Sequence, residues 1–190
     1  MTGSRQAGRE RLLETARRLF TRRGAANVGI NEVTDTAGVA RMTLYNNFAS
    51  KEALTVAVYE QMAAATLQAL RQLRRDGTEE TRIEALFSFF ESRTEQPDYR
   101  GCPMIHAGLQ DAEPFGPIHS VVQRYKRQLR EDVWHMLDEA RANRSELADQ
   151  MLLLLDGGVT EAYLKGVTRP MTAARRAAIV LLRNTPTGES

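Results

Sequence analysis

The chain is predicted to be all-α, with about nine helices: a small N-terminal three-helix head and a larger C-terminal helical body. Three observations lead there. Apolar residues recur at spacings of three and four along nearly the whole 190 residues, the period of an amphipathic helix. No segment gives a convincing strand. The breaks between periodic runs carry glycine, proline or an Asp-Gly pair, the residues that stop helices. The division falls at a head of residues 1–55 and a body of residues 56–190.

The first helix has Leu12, Leu13, Ala16, Leu19 and Phe20 as its apolar stripe, ringed by Arg9, Arg11, Arg17, Arg18, Arg22 and Arg23. Gly24 ends it, and Ala25 to Val28 link it to the second. Gly29 and Glu32 stand at capping-box spacing. Ile30, Val33 and Ala37 mark one face of a short helix that Gly38 closes, since glycine takes the left-handed C-terminal conformation at little cost. Val39 tucks under the turn, and Ala40 to Asn47 form another short helix with Leu44 and Phe48 directed inward. Ser50 caps a long helix over about 51–75. Lys51, in its first turn, opposes the helix dipole, a placement that makes sense beside a phosphate.

Asp76-Gly77 breaks the chain before a helix over 78–94, with Ile83, Leu86, Phe87 and Phe90 on one face. A turn at 97–103 leads to a short helix over 103–111, and a loop with Pro114, Gly116 and Pro117 leads to an amphipathic helix over 117–142. Two last helices run over 145–166 and 171–183, split by Thr168-Arg169-Pro170. The tail from Asn184 is expected to fray.

Two short helices joined by a glycine turn at residues 30–47 read as a helix-turn-helix, which points at double-stranded DNA. The second of them leaves Arg41, Met42, Thr43, Tyr45, Asn46 and Asn47 outward. Such small, polar, amide and aromatic groups suit reading base edges and gripping phosphates. Thr43 and Asn46 face the groove in this reading, and Asn46 has the two-pronged amide that pairs with adenine. Arg41 and Lys51 flank the groove near phosphates. Residues 1–55 hold nine Lys/Arg against five Asp/Glu, whereas the remainder holds 17 against 19. A basic head on a slightly acidic body suits a protein whose head alone touches phosphate. Arg5, Arg9 and Arg11 form a candidate basic arm near the minor groove.

Other classes are disfavoured. No apolar run is long enough to span a membrane, and the first residues lack the apolar core of a signal peptide. A single cysteine makes no internal disulfide and fits a reducing compartment, so a cytoplasmic protein is expected. There is no phosphate-binding glycine loop, no dinucleotide fingerprint, no nucleophile elbow and no HExxH, so no enzyme, cofactor or metal is expected. Cys102 and His106, four apart, are the one nucleophile–base or metal-ligand pair, and two ligands do not make a metal site.

The segments RLLETARRLFTRRG, the AGV turn, TLYNNF and SKEAL occur in an order and spacing that closely resemble the DNA-binding head of the tetracycline-repressor (TetR/AcrR) family of bacterial transcription regulators. In the body, RGCPMIHAG followed by a long helix and LLLLDGGVTEAYLKG resembles one broad subgroup. The resemblance implies an all-helical homodimer that represses a palindromic operator until a small-molecule effector binds the body, with Tyr45 on a phosphate. The chain departs from the pattern at Val28 and Gly29, where a hydroxyl residue is usual, and at Thr34, Ala40 and Met42. A member that no longer binds DNA and senses a small molecule, thiol agent or metal through protein partners is the alternative.

Small residues at Gly158, Ala162 and Gly166, on the helix that carries Met151, Leu154 and Leu155, let another helix approach closely. Ala174, Ala177 and Leu181 give the last helix a similar surface. The pattern fits a four-helix dimer interface or tight packing within one subunit, and the resemblance favours the dimer. Phe87, Phe90, Met104, Ile105, His106, Leu109, Tyr125 and Trp134 are candidate effector-pocket walls, ordinary core being the other reading of each.

Overall fold

The computed structural model describes residues 2–73, 77–110 and 115–185. Among these the chain forms nine helices and no strand: α1 (Thr2–Arg23), α2 (Ile30–Ala37), α3 (Arg41–Tyr45), α4 (Lys51–Leu73), α5 (Glu79–Thr94), α6 (Pro103–Gln110), α7 (Pro117–Met136), α8 (Arg144–Lys165) and α9 (Arg169–Asn184), with a single 3₁₀ turn at Ala25–Asn27. The expected break at Asp76, the ends of α4 at Arg75 and of the short helix at Asp111, the loop residue Pro114 and the tail beyond Thr185 lie outside the described residues. So does the side chain of Arg5.

The chain separates into two compact units, Met1–Ala65 with Pro103–Tyr125, and Thr66–Cys102 with Lys126–Ser190. This differs from a cut at residue 55. The long helix α4 carries Glu60 past that point, and Glu60 accepts from Arg124 of α7 at 2.7 Å. The side chain of Gln110 lies where a Cβ on Gly24 would stand, 2.4 Å away. The segment 103–125 therefore belongs with the head.

In the first unit Leu12, Leu13, Ala16 and Phe20 of α1, Val33 of α2, Leu44 of α3, Phe48, and Leu54 and Val58 of α4 are all buried. Each large side chain so buried contributes about 1.5–3 kcal/mol. Gly38 holds φ +62° and ends α2, with its N–H on Asp35 O and that of Val39 on Thr34 O. No side chain caps α2, and Glu32 is not in a capping box. It accepts from Arg23 at 2.6 and 2.9 Å instead, while Arg23 also reaches Asn27 O. That guanidinium fastens the end of α1 to the start of α2. Ser50 Oγ accepts from Ala53 N at 3.0 Å, capping α4 as expected.

In the second unit α8 and α9 pack along each other, and α5 lays Ile83, Leu86, Phe87 and Phe90 into the core. A Cβ on Gly158 would stand 2.8 Å from Ala174 Cβ and 2.9 Å from Met171 Sδ, so this glycine sets the α8–α9 approach. The helix α7 stops at Met136, six residues short of the expected end. Leu137 N donates to Trp134 O, Arg144 Nε takes the same carbonyl at 2.8 Å, and Asp138 turns the chain by accepting from Ala140 N. Arg141 anchors this connection. It pairs with both oxygens of Glu79, donates to Leu182 O at 3.1 Å and reaches Thr185 O. Pro170 falls inside the first turn of α9, where its missing N–H costs nothing.

Candidate nucleic-acid interface

The helix α3 is five residues long and would not hold together in isolation. It is fixed by Leu44, fully buried beneath it, and by α1 behind it, where a Cβ on Gly8 would stand 3.0 Å from Thr43 Cγ2. What α3 leaves outside is compact. Met42 is 68% exposed and Tyr45 42%. Arg41 lies over the Tyr45 ring at 5.6 Å, with a long contact of 3.4 Å from Nη2 to the phenol oxygen. Asn46, the C-terminal cap, is also exposed.

The other three predicted contacts sit lower. Thr43 is half-buried against Gly8. Asn47 is half-buried and donates its amide to Thr43 O at 2.7 Å, which uses one of its donors. Lys51 is half-buried at the first turn of α4, on the rim of a cavity of about 390 Å³ in the same unit. Ala25, Thr55, Tyr59, Ala107 and Gln110 line that cavity too. Burial pushes the Tyr59 phenol above its ordinary pKa, and the Ala25 N–H on its oxygen partly offsets this.

Two contacts were not foreseen from sequence. Arg9, read as ringing the first helix and as part of a basic arm, belongs to α1 and stacks on the Phe48 ring at 5.3 Å. Gly8 is buried under Thr43. Both act across more than thirty residues, and no local pattern announces such a contact.

The body residues singled out from sequence scatter. Met104, Ile105, His106, Leu109 and Tyr125 fall in the first unit, and Phe87, Phe90 and Trp134 in the second. Leu109 is 80% exposed, a surface residue and not a pocket wall. Cys102 precedes α6 in the second unit while His106 lies on α6 in the first, so the expected helical pair does not form on one helix. Tyr99 is pushed up to about 12, by burial first and the neighbouring Cys102 second, and its hydroxyl donates to Val159 O at 2.9 Å. Among the described residues no group of three or more His, Cys, Asp or Glu is placed to hold a metal, and no helix is long and apolar enough to cross a membrane.

Of the expected dimer residues, Met151, Leu155, Gly158, Ala162 and Ala174 are buried within the second unit itself, so their small-residue register serves α8–α9 packing in one chain. Leu154 and Leu181 are half-buried, and Gly166 and Ala177 are exposed. Large apolar side chains left open on these helices are Leu153 at 73%, Leu164 at 69%, Tyr163 and Val180, with Val167 in the turn between them.

A short, exposed second helix, packed on a glycine turn and backed by a first helix of its own unit, defines a helix-turn-helix protein. Residues 12–58 match the family described as bacterial regulatory proteins, tetR family. The chain is 34% identical over 119 residues to the HTH-type transcriptional activator FasR of Mycolicibacterium smegmatis, covering 57% of this chain and 54% of that protein. It is 41% identical over 69 residues to the HTH-type transcriptional repressor NemR of Escherichia coli, covering 36% and 35%. The chain thus spans about half or less of the length of these curated relatives. The fold extends further. A TetR-family regulator from Streptomyces coelicolor superposes with a TM-score of 0.82 at 23% identity, over 93% of this chain and 96% of that one. Reduced E. coli NemR superposes at 0.81 with 24% identity, over 95% and 99%.

Proposed function

We propose that the protein is a dimeric, ligand-responsive transcription regulator of the cytoplasm, a repressor that binds a palindromic operator and leaves it when a small molecule binds. The observation that carries the DNA reading is the exposed face of α3. Arg41, Met42, Tyr45 and Asn46 stand together on a rigid support, with a cation at Lys51 on the following helix. Arg41 and Tyr45 suit phosphates, and Asn46 presents the amide geometry that discriminates adenine.

The dimer reading rests on the open stripe of Leu153, Leu164 and Val180 with Ala173 and Ala177 between them. Beside it lies a groove of about 540 Å³ along α8 and α9, lined in part by Gly157, Val167 and Pro170. Two heads on a two-fold axis read a symmetric site. Release is proposed to act through the cavity under Lys51. Ala107 and Gln110 of α6 line it beside Lys51, so a shift of α6 moves a phosphate ligand. The relatives include an activator and a repressor; the repressor reading follows the higher identity to NemR.

Selection of bound sequences from a random duplex pool, at near-physiological salt, tests this. A two-fold-symmetric motif is expected, and placing it over a promoter in a purified transcription reaction should lower transcript yield. A rise in yield would make the protein an activator. Recovery of no motif would shift the reading to a sensor that acts through partner proteins.

A further inference from the structure

The second unit contains two buried arginines three residues apart, and only one of them has a counter-charge. Arg141 is spent on the Glu79 carboxylate and two carbonyls. Arg144 is only 8% exposed, yet it forms no ion pair among the described residues. Its Nε donates to Trp134 O at 2.8 Å, and its guanidinium carbon lies 3.6 Å from the centroid of the Trp134 ring. The two terminal nitrogens are left, four N–H donors held in a fixed plane by the indole. An arginine fork stacked on an aromatic ring is organised in advance for a planar oxyanion.

That fork lines a cavity of about 370 Å³. A second arginine, Arg82, enters from α5, its Nε on Thr78 O at 3.3 Å and likewise without an ion pair among the described residues. His135, edge-on to Trp134 at 4.9 Å between centroids, lines it too. Arg71, Arg130, Arg141, Arg175 and Arg183 of this unit each meet a carboxylate, whereas Arg82 and Arg144 face one shared cavity. Asp138 and Glu139 complete its lining. Their negative charge offsets part of the arginines' and favours a singly charged anion over a doubly charged one. Leu137 is the single apolar side chain in the lining, so little surface waits for a hydrocarbon tail.

We propose that this cavity is a binding site for a small monocarboxylate, its carboxylate in the Arg144 fork with Arg82 on the open side. The site belongs to the second unit alone and stands whether or not the DNA reading holds.

Trp134 is the only tryptophan in the chain, so its fluorescence reports on this site directly. The full-length protein is titrated with sodium acetate, sodium phosphate and sodium chloride at constant ionic strength. A saturable change with acetate alone is expected, and Arg144→Gln should raise the apparent Kd by about tenfold or more, the usual worth of a charge-assisted hydrogen bond. Arg82→Gln should weaken the same titration, and it decides the matter if Arg144→Gln fails to fold by circular dichroism. An acetate response equal to that of chloride, saturation by phosphate alone, or an acetate curve unmoved by Arg82→Gln would each overturn the proposal.

Discussion

Replacing Arg141 with methionine removes the most heavily committed side chain of the second unit while keeping most of its apolar stem. The guanidinium donates to Glu79 Oε2 at 2.8 Å and to Oε1, to Leu182 O at 3.1 Å and to Thr185 O. Its side chain is 4% exposed and that of Glu79 16%. The variant leaves Glu79 a nearly buried carboxylate whose one remaining donor is Asp138 N at 2.9 Å. Removing one partner of such a pair costs about 3–5 kcal/mol, and the lower end applies because Thr185 is only half-buried and its carbonyl can reach water. For a chain of this size about 3 kcal/mol lowers the Tm by roughly 6–12 °C. Thermal unfolding followed by circular dichroism at neutral pH measures it. The pH dependence supplies a second check. Hydrogen bonds from Arg141 hold Glu79 below the usual carboxylate range, and the Asp138 N–H adds to this against the opposing effect of burial. The stability it contributes is therefore fully present above the unfolded carboxylate pKa and is lost as pH falls through the depressed folded value. The gap between wild type and Arg141→Met should close in acid. A variant that unfolds within about 1 kcal/mol of wild type at neutral pH, or a gap that stays constant into acid, refutes the argument.

Other substitutions probe the remaining links. Lys51→Ala and Tyr45→Ala should weaken DNA binding on all sequences, and Lys51→Ala should reduce the slope of log K against log salt by about 0.9 if it neutralises one phosphate; unchanged titrations for both would remove them from the interface. Asn46→Ala should instead relax preference at particular positions of the selected motif. Leu164→Glu places a charge in the open α8 stripe and should shift the sedimentation profile from dimer to monomer without lowering helix content, and a dimer that persists would move the interface elsewhere. Gly38→Ala meets no atom within 4 Å, so its cost of about 1–2 kcal/mol comes from the left-handed backbone at φ +62° alone. Gly29→Ser, at an ordinary φ of −82°, should be neutral or stabilising by a few tenths of a kcal/mol, since it restores a side-chain cap. Urea unfolding of the pair separates the two effects.

The head was legible in the sequence because its determinants are local. Gly38 and the Ile30, Val33, Ala37 spacing set α2, and Ser50 three residues before Ala53 sets the cap of α4. The body was less so. Periodicity carried the 117–142 segment too far, because the stop at Met136 is made by Arg144, eight positions on, taking a carbonyl of the helix it follows. The small residues of α8 showed that a helix approaches closely but not which helix, and Gly158 proved to face α9 of the same chain. Arg23–Glu32, Arg9–Phe48 and Arg141–Glu79 join residues whose pairing no periodicity encodes, and hydropathy does not distinguish a ringed surface arginine from a stacked or buried one.

The contact of Thr43 with Gly8 bears on how binding preference can be exchanged among proteins of this build. Because α3 is too short to carry its own conformation, its side chains would meet DNA only in the pose that α1 permits, and at Gly8 that permission is the absence of a single carbon atom. Transplanting five residues of α3 from a relative would change the side chain at position 43 without the matching change at position 8. Rewriting the preference of this head therefore means moving the two positions together, as one unit of information distributed between the first helix and the third.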